Sequence, residues 1–243
     1  MIALIDVLDD PPYDITAIFN ELLSSYGFDQ PFVRVDGLGP EIAIPSGMTG
    51  IVISGSVHHI YDTKGKNWKD SLCELAKTHY AQIPVLGICF GHQALAQALG
   101  GKTVPNSLGR EVGTVPIYTT PEAKQDLLFC GFKSGSLVPQ SHLDHVAELP
   151  NGAVRLAYNS YSPNQAFKIG KSWGIQFHPE LQPQLFEQLL SSRIKTLRKE
   201  AKITEANKLQ TVSDSVQECP QAVEVLKRFV SLCLTESQTM KGD

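Results

Sequence analysis

The stretch at residues 83–93 constrains the fold more than any other part of the sequence. It begins with apolar, β-prone residues at 85–88, a run that is typical of a buried parallel strand. A helical apolar stripe then covers residues 94–99 and ends at two glycines. The sequence therefore predicts an α/β fold in which Cys89 lies at a strand-to-helix junction.

Gly87 and Gly91 flank Cys89 at a distance of two residues on either side. A tight strand-to-helix turn leaves no room for side chains at those two positions, so the pattern indicates a nucleophile elbow. The N–H of Phe90 is then expected beside the sulfur, and the positive end of the helix favours the thiolate of Cys89. A buried structural cysteine beside a glycine-rich turn is the alternative interpretation.

Possible partners for this cysteine lie far downstream, where a predicted strand at residues 171–177 ends at His178-Pro179-Glu180. A cysteine nucleophile needs a base, and the base needs a third group that fixes its tautomer. Residues two apart on an extended chain point to the same side, and Pro179 stiffens the backbone between them. His178 and Glu180 therefore fit the roles of base and carboxylate.

Two other segments carry candidate chemistry. Ser54-Gly55-Ser56 follows a predicted strand at the carboxyl edge of the sheet, where open α/β sheets place their ligands, and makes the Gly55 N–H a candidate oxyanion donor. In Ser141-His142-Leu143-Asp144, the histidine and the aspartate have the same chemistry as His178 and Glu180. On the residues alone, the two pairs compete for the base and carboxylate roles.

Residues 87–93 and 176–180 together resemble the class I, triad-type glutamine amidotransferases. Segments at 53–56, 111–113, 141–144 and 164–167 agree in order, and the likeness covers about residues 1–180. Stand-alone proteins similar to the glutaminase half of GMP synthetase are the most alike, and they also tend to carry a helical tail.

The resemblance implies a fold and a set of roles. The fold is an open, mostly parallel, flavodoxin-like sheet flanked by helices, with a domain over residues 1–180 and a helical extension over 181–243 packed on or beside it. The catalytic residues are Cys89, His178 and Glu180, and the oxyanion donors are the N–H groups of Gly55 and Phe90. The substrate-binding residues implied by the family are Gln93, Ser141, His142 and Leu143.

The implied reaction is hydrolysis of the glutamine side-chain amide through a cysteinyl thioester, which releases glutamate and ammonia. No acceptor domain is recognisable after the glutaminase part, so we expect either a separate synthase subunit that uses the ammonia or a γ-glutamyl peptide hydrolase with the same triad. A non-catalytic glutamine-binding or interaction module is an alternative of another class. The intact set of Cys89, His178 and Glu180 speaks against it.

Composition excludes several classes of function. With 21 basic and 25 acidic residues the net charge is −4, and nucleic acid is not an expected partner. Five widely spaced cysteines indicate neither a disulfide framework nor a zinc motif, so we expect a cytoplasmic protein without metal or cofactor. No apolar run approaches membrane-spanning length, and the first residues enter a strand directly, so neither a membrane partner nor export is expected.

The remaining pattern gives the order of elements. Strands and helices alternate with crossover-sized spacing in the first half of the chain, which predicts parallel pairing. Further strands are predicted at residues 2–7, 32–35, 50–53, 153–157 and 165–169, and antiparallel strands are predicted within residues 102–119. Helices are predicted at residues 15–23, 68–81, 185–197 and 223–232. Loops are predicted at residues 9–12 and 140–144, and residues 202–218 show no clear pattern.

Overall fold

The computed structural model of the chain describes residues 1–9 and 13–239, and most of the loop predicted at residues 9–12 lies outside them. The strands are β1 Ile2–Asp6, β2 Phe32–Asp36, β3 Gly50–Ile53, β4 Val85–Ile88, β5 Lys102–Pro105, β6 Glu111–Pro116, β7 Tyr118–Thr119, β8 Leu137–His142, β9 Asp144–Glu148, β10 Val154–Tyr158, β11 Ala166–Ile169 and β12 Ser172–Ile175. The helices are α1 Ile15–Ser24, α2 Lys66–His79, α3 Phe90–Ala98, α4 Pro183–Lys199, α5 Ile203–Ser213 and α6 Pro220–Thr239.

Eight of these strands form the central sheet, in the order β2-β1-β3-β4-β12-β11-β10-β7. The first five pair in parallel, and the last three add antiparallel strands at one edge. Strands β4 and β12 are neighbours, so their carboxyl ends deliver Cys89 and His178 to the same edge of the sheet. The predicted open, mostly parallel α/β sheet is confirmed.

Helices cover both faces of the sheet, and its central strands are therefore buried on both sides. Alternate residues of β1 show this arrangement. Ile2 and Leu4 belong to the core with α1 and α6, whereas Ala3 and Ile5 belong to the core with α2 and α3. The C-terminal helix α6 is thus part of the main hydrophobic core.

Helices α4 and α5 form a hairpin of their own beside strand β6. Leu197 of α4 and Ala206 of α5 are buried between the two helices. Phe186 and Leu190 of α4 pack toward Val112 of β6. The division of the chain into parts at residues 180 and 181 stays a prediction.

Two expectations about local structure are wrong. Residues 202–218 contain α5, which the sequence pattern missed because Ala206 and Ser213 are the only residues that this helix buries. Residues 140–144 are not a loop, since β8 continues to His142 and β9 begins at Asp144. Antiparallel pairing with β6 and β5 holds this polar segment in extended form.

No helix within residues 1–9 and 13–239 is both long and apolar enough to cross a lipid bilayer. The same part of the chain holds no group of three or more His, Cys, Asp or Glu side chains placed to bind a metal ion.

Candidate active site

Cys89 occupies the strand-to-helix elbow between β4 and α3. Its backbone has φ 52° and ψ −101°, a conformation that is strained for a residue with a side chain. Two hydrogen bonds hold it there: its N–H donates to the Ile175 carbonyl at 2.8 Å, and its own carbonyl accepts from the Gln93 N–H at 3.1 Å. Strain that the surrounding structure maintains in this way is typical of functional sites.

The two flanking glycines are required by the close approach of backbone. A Cβ at Gly87 would overlap the backbone of Gly91, and a Cβ at Gly91 would overlap the carbonyl of Ile53. These are backbone obstacles, which cannot swing aside as a side chain can. The elbow can therefore form only with glycine at both positions.

His178 and Glu180 lie together beside the cysteine. Nδ1 of His178 is 2.7 Å from Oε1 of Glu180, and both side chains are buried. The His178 N–H donates to the Pro139 carbonyl at 2.9 Å, which fixes the backbone at the end of β12. The contact with Glu180 leaves Nε2 of the imidazole for the Cys89 sulfur.

Opposing effects set the charge of His178. Burial lowers the pKa of the imidazole, but the charge of Glu180, the charge of Cys89 and hydrogen bonds to both raise it more. The net result is a pKa well above the usual value. The site therefore favours an imidazolium at neutral pH.

Gly55 and Phe90 are the two residues whose backbone N–H groups are predicted to stabilise an oxyanion. A Cβ on Gly55 would lie 2.8 Å from Cε1 of His178 and 3.6 Å from Cβ of Cys89, so a side chain at this position would crowd both groups. Ser54 fixes this turn, because its N–H donates to the Ile5 carbonyl and its hydroxyl accepts from the Val7 N–H, each at 3.1 Å. Phe90 is the first residue of α3, where backbone N–H groups have no partner within the helix.

His142 and Asp144 do not form a second pair. The ring of His142 is buried, with Nδ1 at 2.8 Å from the backbone carbonyl of Asp144 and Nε2 at 2.8 Å from Oε2 of Glu111. The Asp144 carboxylate instead contacts Nδ1 of His59 at 2.6 Å and accepts from the Tyr61 hydroxyl at 3.0 Å. Of the two alternatives left open by the sequence, only His178 and Glu180 have the geometry of a base and its carboxylate.

A buried network supports the segment that contains Ser141 and His142. Besides the imidazole of His142, the Glu111 carboxylate accepts hydrogen bonds from the side-chain amides of Asn159 at 2.6 Å and Gln165 at 2.9 Å. Sequence reasoning placed Glu111 and Gln165 in segments that agree with the family but assigned no role to either residue or to Asn159. The available signal was a glutamate on a strand otherwise built from apolar and small residues.

Two small cavities meet at Cys89. One, of about 140 Å³, is bounded by His178, Glu180, Tyr13 and apolar residues of α4. Burial raises the pKa of the Tyr13 hydroxyl, and the nearby carboxylates of Glu180 and Asp6 raise it further.

The other cavity, of about 180 Å³, contains all four residues predicted to bind substrate: Gln93, Ser141, His142 and Leu143. The Gln93 amide donates to the Asp144 carbonyl at 3.0 Å and to Oε1 of Gln176 at 3.2 Å, so it also supports the cavity wall. Because the ring of His142 is held by Glu111, its backbone is the part that the cavity can use.

The loop before α2 closes the rim of the second cavity. His59 lies on this loop, and its ring contacts the Asp144 carboxylate. The buried ammonium of Lys69 donates to the His59 carbonyl and pairs with Asp62, which holds this loop in place.

A strained cysteine elbow facing a buried His–Glu pair is the arrangement that a cysteine-dependent hydrolase requires. The family model for class-I glutamine amidotransferases matches residues 13–196, and the chain belongs to that family.

Relatives of known sequence agree with this assignment. The glutamine-hydrolysing GMP synthase of Porphyromonas gingivalis is 40% identical over 138 residues, which are 56% of this chain and 26% of that protein. The corresponding synthase of Helicobacter pylori is 36% identical over 132 residues, 54% of this chain and 24% of that protein. The match therefore spans about a quarter of the length of these relatives.

Solved structures show the same fold along almost the whole chain. A glutamine amidotransferase from Thermotoga maritima superposes with a TM-score of 0.72 at 22% identity, covering 94% of this chain and 97% of its own. A protein from Thermoplasma acidophilum, described as a putative GMP synthase subunit, gives a TM-score of 0.68 at 19% identity, covering 99% of this chain and 96% of its own.

Proposed function

We propose that this protein hydrolyses the side-chain amide of glutamine, with Cys89 as nucleophile, His178 as acid and base, and Glu180 as the carboxylate that orients the imidazole. The observation that carries this proposal is the position of Cys89, held in a strained elbow beside the buried His178–Glu180 pair. Family membership supports an amidohydrolase of this kind.

The proposed reaction uses these groups in turn. The Cys89 thiolate adds to the amide carbon, and the N–H groups of Gly55 and Phe90 stabilise the oxyanion that develops. The carbon–nitrogen bond then breaks, and His178 gives its proton to the departing ammonia. Water, deprotonated by the now neutral His178, attacks the γ-glutamyl thioester, and glutamate leaves with the thiolate restored.

The γ-glutamyl part of the substrate is assigned to the cavity that contains Gln93 and the segment Ser141 to Leu143. The nitrogen that departs must face His178, and His178 borders the opposite cavity. The two cavities therefore separate the part of the substrate that is retained from the part that leaves.

The proposal is tested by measuring glutamate and ammonia release from glutamine by the purified chain. We expect equal amounts of both products from the wild type and no release from the Cys89→Ala variant. Cys73→Ala is the matched control, because Cys73 lies on α2, and this variant is expected to keep full activity. Release that persists without Cys89 would contradict the proposed function.

We further propose that the ammonia passes to a separate synthase subunit. The relatives that match here are synthases described as glutamine-hydrolysing, and one structural neighbour is described as a putative GMP synthase subunit. Glutamine hydrolysis by the isolated chain is then expected to be slow. An increase in glutamate release on adding a candidate synthase would support this partner, and fast release by the chain alone would contradict it.

A further inference from the structure

A third cavity adjoins the catalytic centre and is larger than the two that meet at Cys89. It lies between α4, α5 and strand β6 and encloses about 600 Å³; we call it the α4–α5 groove. Val57 and Ser141 line this groove and both smaller cavities. A molecule in the groove would therefore contact walls of the catalytic site without entering it.

The α4–α5 groove has the size and the walls of a ligand site. Cavities that bind small organic molecules usually enclose about 300–1,000 Å³ and have mostly apolar walls with a few polar groups. The groove fits that description, since its walls are formed by Phe186, Leu190, Leu209 and Val212. Glutamine and ammonia are assigned to the two smaller cavities, which leaves the groove without a ligand in the proposed reaction.

Val57 is an apolar residue on the loop that borders all three cavities, and it is 81% exposed. It stands two residues after Gly55, the proposed oxyanion donor. An apolar ligand in the groove would remove the surface of Val57 from water, which is favourable. The same contact would hold the loop in the arrangement that forms the wall of the glutamine cavity.

The charges at the rim of the groove are mainly positive. Three exposed cations lie there: Arg110, Arg193 and Lys208. None of the three forms an ion pair within residues 1–9 and 13–239. Glu205 is the one carboxylate among the groove residues, and the nearby Glu200 forms its ion pair with Lys202. Apolar walls with an excess of cations at the rim complement a molecule that has an apolar body and one carboxylate.

We propose that the α4–α5 groove binds aliphatic monocarboxylates and that the bound molecule strengthens the binding of glutamine. The alkyl chain lies on the apolar walls and on Val57. The carboxylate lies at Arg193 and Lys208, because Arg110 also lines the glutamine cavity. The effect on glutamine rests on the proposed function, which assigns glutamine to that cavity. Both ligands favour the same arrangement of the loop, so each raises the affinity for the other by the same factor.

Calorimetric titration of the Cys89→Ala variant tests the site without catalysis, with octanoate, butyrate and octanamide as the probes. Octanoate has four more methylene groups than butyrate and should bind at least about tenfold more tightly. Octanamide lacks the charge and should bind about fivefold more weakly than octanoate. No binding of octanoate, or equal binding of octanoate and either of the other two compounds, overturns the proposal.

Variants at the rim test where the carboxylate lies. Replacing both Arg193 and Lys208 by alanine, in the Cys89→Ala background, should remove the preference for octanoate over octanamide. Lys195→Ala in the same background is the matched control, because Lys195 is exposed on α4 but does not line the groove. A preference for octanoate that survives the double replacement overturns the proposal.

The effect on glutamine is measured in the Cys89→Ala variant as Kd for glutamine with and without saturating octanoate. Octanoate should lower this Kd by at least about fivefold, the lower end of typical coupling between two sites. The double replacement at the rim should reduce the effect at the same octanoate concentration. An increase in Kd would place octanoate in the glutamine cavity, and an unchanged Kd would show no coupling; either result overturns the proposal.

The outcomes also separate this proposal from the proposed function. Glutamine hydrolysis by the wild type without octanoate binding overturns the role of the groove and leaves the proposed function standing. No binding of glutamine, with or without octanoate, overturns the proposed function and the coupling together. A dimer at assay concentration that the Arg193 and Lys208 double replacement dissociates would assign the groove to a second copy of the chain and overturn the proposal.

Discussion

Replacing Glu180 by glutamine removes a negative charge from the site and keeps the shape of the side chain. The carboxylate lies 2.7 Å from Nδ1 of His178, is buried, and raises the pKa of that imidazole. The amide can neither stabilise the imidazolium nor enforce the tautomer as the carboxylate does.

The size of the effect follows from the charge that is lost. At an effective dielectric constant of about 20, unit charges about 4 Å apart interact by about 4 kcal/mol, equivalent to roughly a thousandfold in rate. The corresponding change in a serine-protease triad costs about four orders of magnitude in kcat. For Glu180→Gln we expect kcat for glutamine to fall by about 10³- to 10⁴-fold.

The assay is glutamate release, with an NMR titration of the His178 ring as a second readout. Burial lowers the pKa of His178 and Glu180 opposes this, so the pKa should fall in the variant. Asp144→Asn is the control, because that carboxylate contacts His59 and Tyr61 instead of His178. A smaller loss for Glu180→Gln than for Asp144→Asn would refute the assignment of the triad.

Three other outcomes are expected. An electrophilic glutamine analogue should label Cys89 and spare Cys73 and Cys219. Burial raises the pKa of the latter two thiols, that of Cys219 to about 12, so little thiolate is present at either. Peptide mapping measures the labelling, and equal labelling of the three cysteines would contradict the prediction. Glu111→Gln should raise KM for glutamine more than it lowers kcat. It should also lower the free energy of unfolding by about 2–3 kcal/mol, since hydrogen bonds to a charged group are lost. An unchanged KM would contradict the role of Glu111 in supporting the segment that contains Ser141 and His142. Burial lowers the pKa of His92 to about 3, so between about pH 6.5 and pH 3 the imidazole binds a proton in the unfolded state but not in the folded state. The free energy of unfolding should therefore fall over this range by up to about 1.4 kcal/mol per pH unit. Acid unfolding of His92→Leu should lack this pH dependence.

The elbow and the parallel sheet could be predicted because their determinants are local. Gly87, Cys89 and Gly91 stand within five residues, and the strand before them and the helix after them each carry their own periodicity. His178 and Glu180 are distant from Cys89 in sequence. Strand β12 nevertheless lies parallel to β4, so the carboxyl ends of both strands reach the same edge of the sheet.

The missed features depend on contacts between distant segments. Helix α5 buries little surface and has no strong apolar stripe, so packing against α4 defines it more than its own sequence does. The role of Glu111 depends on Asn159 and Gln165, which lie between β10 and β11 and approach Glu111 only when β6 is assembled beside these strands. Their pairing could not be read from any one segment.

The most direct test of the central claim is to trap the acyl-enzyme. The chain is mixed with glutamine, quenched in acid within the first turnovers, digested and analysed by mass spectrometry. We predict a γ-glutamyl group on Cys89 and on no other cysteine. Glutamate release with no adduct on Cys89, or with the adduct on another cysteine, would contradict Cys89 as the nucleophile.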